Sequence, residues 1–204
     1  PLQSLVNTMY LMGDVVKSMG MSDERAFLER SLVRMKSNVD YMNKIVSDLQ
    51  DLAHPLKLER ANVGLRRLID ETVLSLSVPE TVNIKGDIGE GVSVYADANM
   101  LKRALTNMLT NAIQALPNGG CINVIATQEG ASVKLTIADN GVGIAEEHIP
   151  KLFNPLFTTK SNGTGLGLAI VKRIIDAHGG RVSVESRVGA GTAFVMDLPA
   201  IKTD

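Results

Sequence analysis

The chain of 204 residues has no tryptophan, three tyrosines and four phenylalanines, too few rings for an aromatic platform that stacks single-stranded nucleic acid. Its one cysteine, Cys121, lies in an apolar run that reads as a strand. No internal disulfide can form, and the thiol fits a small buried hydrophobe better than a nucleophile. Excess charge is missing too: 21 Lys+Arg stand against 22 Asp+Glu, for a formal net charge of −1. No basic block stands out, which argues against nucleic acid or a membrane-surface helix as partner. No apolar run reaches membrane-spanning length and no signal-peptide pattern is present. The expectation is a cytoplasmic module, with any membrane anchor of a longer protein outside residues 1–204. Two phosphate signatures are also absent, the Gly-Lys-Ser/Thr of a Walker loop and the Gly-x-Gly-x-x-Gly of a dinucleotide fold.

With 45% apolar and 21% charged residues the chain has material for one or two packed domains. Leu2, Leu5, Met9, Met12, Val16 and Met19 alternate spacings of three and four, the seam of a coiled coil. Leu28, Leu32, Met35, Val39, Met42, Val46, Leu49 and Ala53 keep the same rhythm between an acidic start at Asp23-Glu24 and a stop at His54-Pro55. Gly20-Met-Ser22 makes the turn. One narrow seam per helix cannot close a core, so the cheapest completion is a second copy of the hairpin in a homodimeric four-helix bundle; packing on the rest of its own chain is the alternative. At ~1.5 Å per residue the second helix spans ~45 Å and the first about ten residues less, so the first is expected to begin upstream of Pro1.

After a linker at 56–64, strands alternate with helices. Helices are expected at 65–76, 97–116 and 165–177, and strands at 82–84, 92–95, 122–127, 133–138, 181–186 and 192–198. The last two strands form a hairpin around Val188-Gly-Ala-Gly191, and 145–164 is poorly periodic. The fold class is α+β: residues 1–55 a helical hairpin, residues 65–204 a two-layer α/β sandwich.

Three segments carry candidate chemistry. Ser161-Asn-Gly-Thr-Gly-Leu-Gly-Leu168 runs into an amphipathic helix, so its amides can cradle an anion at the helix's positive end; alone, a plain tight loop explains it as well. Arg103, Asn107, Asn111 and Gln114 form a stripe beside the core face of Leu101, Leu105, Met108, Ala112 and Leu116. A polar surface would account for that stripe, but asparagine is a poor helix former, and a carboxamide oxygen suits Mg²⁺. In Ala138-Asp-Asn-Gly-Val-Gly-Ile144 a strand ends in Asp139, and the glycines bend the chain away; the carboxylate either caps a turn or faces a cavity.

Four boxes occur in order: Asn107-Met-Leu-Thr-Asn-Ala112, Asp139-Asn-Gly-Val-Gly143, Phe153-Asn-Pro-Leu-Phe-Thr-Thr-Lys160 and Gly163-Thr-Gly-Leu-Gly167. Together they resemble the ATP-binding catalytic domain of sensor histidine kinases, in the Bergerat-fold superfamily. Ala177-His-Gly-Gly-Arg181 and Gly189-Ala-Gly-Thr-Ala-Phe194 resemble the end of that domain. The hairpin resembles its dimerisation and phosphoacceptor domain, and Phe-Thr-Thr-Lys with Asn-Ala-Ile-Gln resembles the nitrogen-regulation type. The resemblance implies that Asp139 accepts from the adenine amino group, with Thr192 nearby through water. It further implies that Asn111 ligates Mg²⁺, Asn107 lies by the phosphates, and 145–164 is a lid pinned by Phe153 and Phe157. Lys160 would offer a cation to the phosphates, and Gly163, Gly165, Leu166 and Gly167 would supply amides. Arg103, Gln114, Gly141, Gly143, Ile144, Thr159, Thr164 and Leu168 complete the implied nucleotide set, and a response-regulator receiver domain is the implied partner.

Two departures stand out. Many such kinases have Lys-Tyr where Gln114-Ala115 stands, leaving Lys160 or Arg103 to compensate. The family's phosphoaccepting histidine would lie upstream of Pro1, and His54, His148 and His178 do not replace it. Related superfamily ATPases carry a water-activating Glu at the head of the asparagine box; Asn107 stands there instead, which favours transfer to histidine over hydrolysis. A hydrolytic ATPase clamp and a non-catalytic dimeric scaffold remain the alternatives.

Overall fold

The computed structural model describes residues 2–20, 22–53, 55–160 and 163–200. Two units result, Pro1–Ala53 and His54–Asp204. In the first, α1 (Leu2–Ser18) and α2 (Asp23–Ala53) form a hairpin. Ser22 Oγ accepts the Arg25 N–H at 3.2 Å and Asp23 and Glu24 follow, a polar and acidic N-terminus that favours helix initiation. Arg25 then reaches back to the Met19 carbonyl at 2.8 Å while pairing with Glu29 at 2.9 Å, which ties the end of α1 to the start of α2. Met21 and His54, at the expected turn and stop, lie outside the described residues.

Within a single hairpin the expected seam is mostly uncovered. Val16 and Val39 are buried, but Leu5, Met12, Met42, Val46 and Leu49 remain 41–50% exposed. Two helices offer each other only one strip of contact, so residues flanking that strip still face water.

The second unit runs β1 (Ala61–Gly64), α3 (Leu65–Leu74), β2 (Val82–Ile88), β3 (Ser93–Ala96), α4 (Ala98–Gln114), β4 (Gly120–Glu129), β5 (Ser132–Asp139), a short 3-10 helix (Glu146–Lys151), α5 (Gly167–Ala177), β6 (Arg181–Arg187) and β7 (Gly191–Pro199). Five strands form a mixed sheet in the order β2-β4-β5-β7-β6, in which only β2 and β4 run parallel. Alternate residues of β4, β5 and β7 turn one way: Ile122, Val124, Ala126, Val133, Leu135, Ile137, Phe194, Met196 and Leu198 are all buried. Against that face pack the apolar stripes of α3, α4 and α5, including the fully buried Leu101, Leu105, Met108 and Ile174. Truncating one such leucine to alanine costs about 2–5 kcal/mol.

Four details differ from the sequence reading. The stretch 56–64, expected as linker, contributes β1, which pairs antiparallel with β3 from Ala61 opposite Ala96 to Gly64 opposite Ser93. Four residues with one buried side chain, Val63, give no usable period. β2 continues past residue 84 to Ile88, hidden by the polar Lys85-Gly86-Asp87 of an edge strand. The poorly periodic stretch 145–164, expected as a lid, contains the 3-10 helix, whose Pro150 disguises it. Finally, α5 starts at Gly167 rather than Gly165, because Gly165 has φ +67° and cannot continue a right-handed helix.

At its start α4 is tied down tightly. Asp97 caps it, accepting from Asn99 and Met100 at 3.0 and 3.1 Å through Oδ1 and from the Glu59 N–H at 2.9 Å through Oδ2. The Asp97 N–H donates to His178 Nε2 at 2.9 Å, and His178 Nδ1 lies 2.7 Å from the Ile174 carbonyl. Those two bonds define a neutral imidazole protonated on Nδ1.

Candidate active site

The opposite end of α4 meets the end of β5, the start of β7 and the start of α5. Asp139 closes β5 directly opposite Thr192 on β7 and is 8% exposed. Its Oδ1 accepts the Gly141 N–H at 2.9 Å. Burial raises its carboxyl above the ordinary range, and the Gly141 and Thr192 amides and the Lys160 charge only partly offset that. Gly141 approaches α4 so closely that an added Cβ would collide with the Ala115 carbonyl, and the Val142 N–H donates to that carbonyl at 3.0 Å. Gly143 has φ +69° and sits against the Arg187 backbone, where any side chain would clash.

Ser186, which sequence reasoning missed, joins three elements. Its Oγ donates to the Gly191 carbonyl at 2.9 Å, accepts the Ile144 N–H at 2.9 Å and lies 2.9 Å from Thr192 Oγ1. Asn140 was missed as well: its Oδ1 accepts the Cys121 N–H at 2.8 Å, fixing the bend after β5. An alternating edge strand and an Asp-Asn turn give no sign of either role.

On α4 the expected stripe is real and engaged. Lys160 Nζ donates to Asn111 Oδ1 at 2.9 Å and to Gln114 Oε1 at 2.7 Å, bringing a cation from the loop before α5 onto α4. Asn107 Nδ2 donates to the Gly167 carbonyl at 3.4 Å, so the asparagine box touches the first residue of α5. Arg103, one turn earlier, is half-buried. In the lid, Phe153 and Phe157 are half-buried, the Phe157 ring lies 5.7 Å from His148, and Thr159 is exposed.

The glycine run folds partly onto itself. The Gly163 N–H donates to the Lys160 carbonyl at 3.1 Å and the Leu166 N–H to Thr164 Oγ1 at 3.3 Å, so these two expected cradle amides are engaged within the loop. Gly165 packs against the Leu156 backbone, too closely for any Cβ. Gly167 and the half-buried Leu168 open α5, whose first-turn amides have no partner within the helix. Ser161 and Asn162 lie outside the described residues.

The donor set suits an anionic ligand with a hard cation. Among the described residues no cluster of three or more His, Cys, Asp or Glu could hold a metal alone. A metal here would take amide oxygen from the protein and complete its shell with phosphate and water, the habit of Mg²⁺. Asn111 Oδ1 already faces a cationic group, which fits that assignment.

Fold and site together bring a buried carboxylate, the amide side chains of α4 and the first-turn amides of α5 to one end of the domain, a set suited to a nucleotide. The chain belongs to the histidine kinase-, DNA gyrase B- and HSP90-like ATPase family, whose model matches residues 96–202. The nucleotide is therefore ATP. Sensor histidine kinase ZraS of Escherichia coli K12 is 37% identical over 169 residues, covering 81% of this chain and 36% of ZraS. The chain thus spans little more than a third of that relative. Full-length ShkA in complex with AMPPNP shares the fold at TM-score 0.81 and 23% identity, over 98% of this chain and 43% of that one. Histidine kinase ThkA in complex with response regulator TrrA gives TM-score 0.72 and 25% identity, over 98% and 59%. Among the described residues no helix is long and apolar enough to cross a membrane.

Proposed function

We propose that the chain is the core of a sensor histidine kinase, transferring the γ-phosphoryl group of ATP to a histidine for relay to a response-regulator aspartate. The observation that carries this reading is the meeting of Lys160 with the Asn111 and Gln114 amide oxygens beside buried Asp139, with Asn107 where a hydrolase would need a carboxylate. Phosphoryl transfer asks for positioning and charge neutralisation more than covalent help. Bound Mg²⁺ would neutralise phosphate charge. Asp139 would accept from the adenine amino group, with Thr192 beside it; Asn111 would hold the metal; Asn107 would serve the phosphates; Lys160 and the amides opening α5 would neutralise the γ-phosphate. No carboxylate stands at Asn107 to deprotonate water, so a neutral imidazole is the better-served nucleophile.

The hairpin serves as the dimerisation unit, its exposed Leu5, Met12, Met42, Val46 and Leu49 covered by a second copy. By the family resemblance the acceptor histidine would stand in a segment ahead of Pro1; of the described histidines, His178 is buried in the Asp97 cluster and His148 packs on Phe157. The domain works in the cytoplasm and its partner is the receiver domain of a response regulator, a reading supported by the complex of ThkA with response regulator TrrA; the Phe-Thr-Thr-Lys motif favours the nitrogen-regulation type.

The test mixes the chain with γ-labelled ATP, Mg²⁺ and a second polypeptide carrying the hairpin extended upstream by its natural sequence. The second polypeptide should acquire acid-labile label and the chain none. ATP hydrolysis without labelling would turn the reading to a hydrolytic ATPase; no nucleotide binding at all would leave a scaffold.

A further inference from the structure

Asn111 and Gln114 are three apart on α4 and share a face, and both turn a carboxamide oxygen to Lys160 Nζ. Neutral acceptors hold an ammonium without cancelling its charge, which Asp139 also feels, so the clasped lysine can still attract an anion. The lysine comes from the lid, 46 residues beyond Gln114, on a flexible four-carbon stem. Its backbone is held locally, since Thr158 Oγ1 accepts the Lys160 N–H at 3.1 Å and the Lys160 carbonyl accepts the Gly163 N–H at 3.1 Å. The loop is thereby turned so that its cation meets α4.

We infer that Gln114 is a positioning residue for Lys160, and that Lys160 and the metal alternate at Asn111 Oδ1. This rests on the reading in which Asn111 holds Mg²⁺ beside ATP. One amide oxygen cannot serve an ammonium and a divalent ion together without bringing like charges within a few ångströms. Lys160 therefore yields Asn111 Oδ1 when the metal is bound and stays on Gln114 Oε1. From there its ammonium turns to the phosphates instead of dispersing into solvent. Gln114 thus has two effects through one side chain: it raises the local concentration of the ammonium that competes with the metal, and it keeps that ammonium within reach of the nucleotide.

The test measures binding of a fluorescent N-methylanthraniloyl ATP to the wild-type chain, Lys160→Met, Gln114→Leu and the double variant, first in EDTA and then across a Mg²⁺ titration. Both positions are solvent-exposed, so folding is not at stake. In EDTA, loss of one charge-assisted contact should weaken binding about tenfold in Lys160→Met and about threefold in Gln114→Leu, with the double variant matching Lys160→Met. Half-saturating Mg²⁺ should fall severalfold in both single variants. Wild-type affinity in Gln114→Leu, or a loss that adds to Lys160→Met in the double variant, would overturn the positioning role. A half-saturating Mg²⁺ unchanged or raised in Lys160→Met would overturn the alternation. Failure of the wild type to bind the analogue under either condition would defeat the ATP reading itself, and this inference with it.

Discussion

Asp97 and Asp139 expose similarly little surface, 6% and 8%, but Asp139 is the more deeply enclosed, and their carboxyl groups shift in opposite directions. Burial pushes both up. At Asp97 the amides of Glu59, Met100 and Asn99 outweigh it, and the carboxyl ends below its ordinary range. At Asp139 the Gly141 and Thr192 amides and Lys160 do not suffice, and it ends above. The foundation end of the second unit is thus finished with its own hydrogen bonds. The nucleotide end keeps acceptor capacity in reserve, which lowers stability but leaves something for a ligand to satisfy.

The sharpest way to break this contrast is Asp139→Asn. It should cost about a hundredfold or more in ATP affinity by calorimetric titration, because an amide presents a donor where the adenine amino group needs an acceptor. Denaturant unfolding of the same variant at neutral pH should show stability equal to or above wild type; a clear loss would make Asp139 structural. Next comes Asp97→Ala, which leaves the cap donors unsatisfied and should lower unfolding stability by about 2 kcal/mol, with ATP affinity changed less than about threefold. Asn111→Ala should then erase the gain in affinity that Mg²⁺ brings, about tenfold, without altering the circular dichroism spectrum. An intact Mg²⁺ effect would remove Asn111 from the site.

The smallest effect is in pH. The stabilising share of Asp97 is present above its unfolded value and disappears as pH falls through its lowered folded value. That of Asp139 is present below its unfolded value and is lost as pH rises through its raised one. Unfolding curves of Asp97→Asn should therefore converge on wild type in acid. Those of Asp139→Asn should rise relative to wild type as pH climbs past the ordinary Asp range. Parallel curves for both variants would remove the contrast.

Much of this was legible because it repeats. The 3.6-residue period of α4 separates Leu101, Leu105 and Met108 from Arg103, Asn107 and Asn111, and the alternation of β5 leads directly to Asp139. Non-local bonds from short or exposed pieces were not. Nothing near Ala61–Gly64 announces a strand, because its partner β3 lies some thirty residues on. Ser186 sits on an edge strand whose residues are all exposed or half-buried, so no burial pattern marks it. Glycine spacing indicated a cradle, but not that Gly163 and Leu166 commit their amides inside the loop.

The place of β7 in the sheet has a consequence for synthesis. Among the described residues it is the last strand in sequence, yet it lies between β5 and β6. While a ribosome is still making residues before Gly191, β5 has an open edge and β6 has no neighbour to join. Thr192 does not yet exist to face Asp139. The nascent domain must therefore wait for nearly its whole length before the sheet can close, exposing a sticky strand edge meanwhile. ATP cannot find a complete site on a partly made chain.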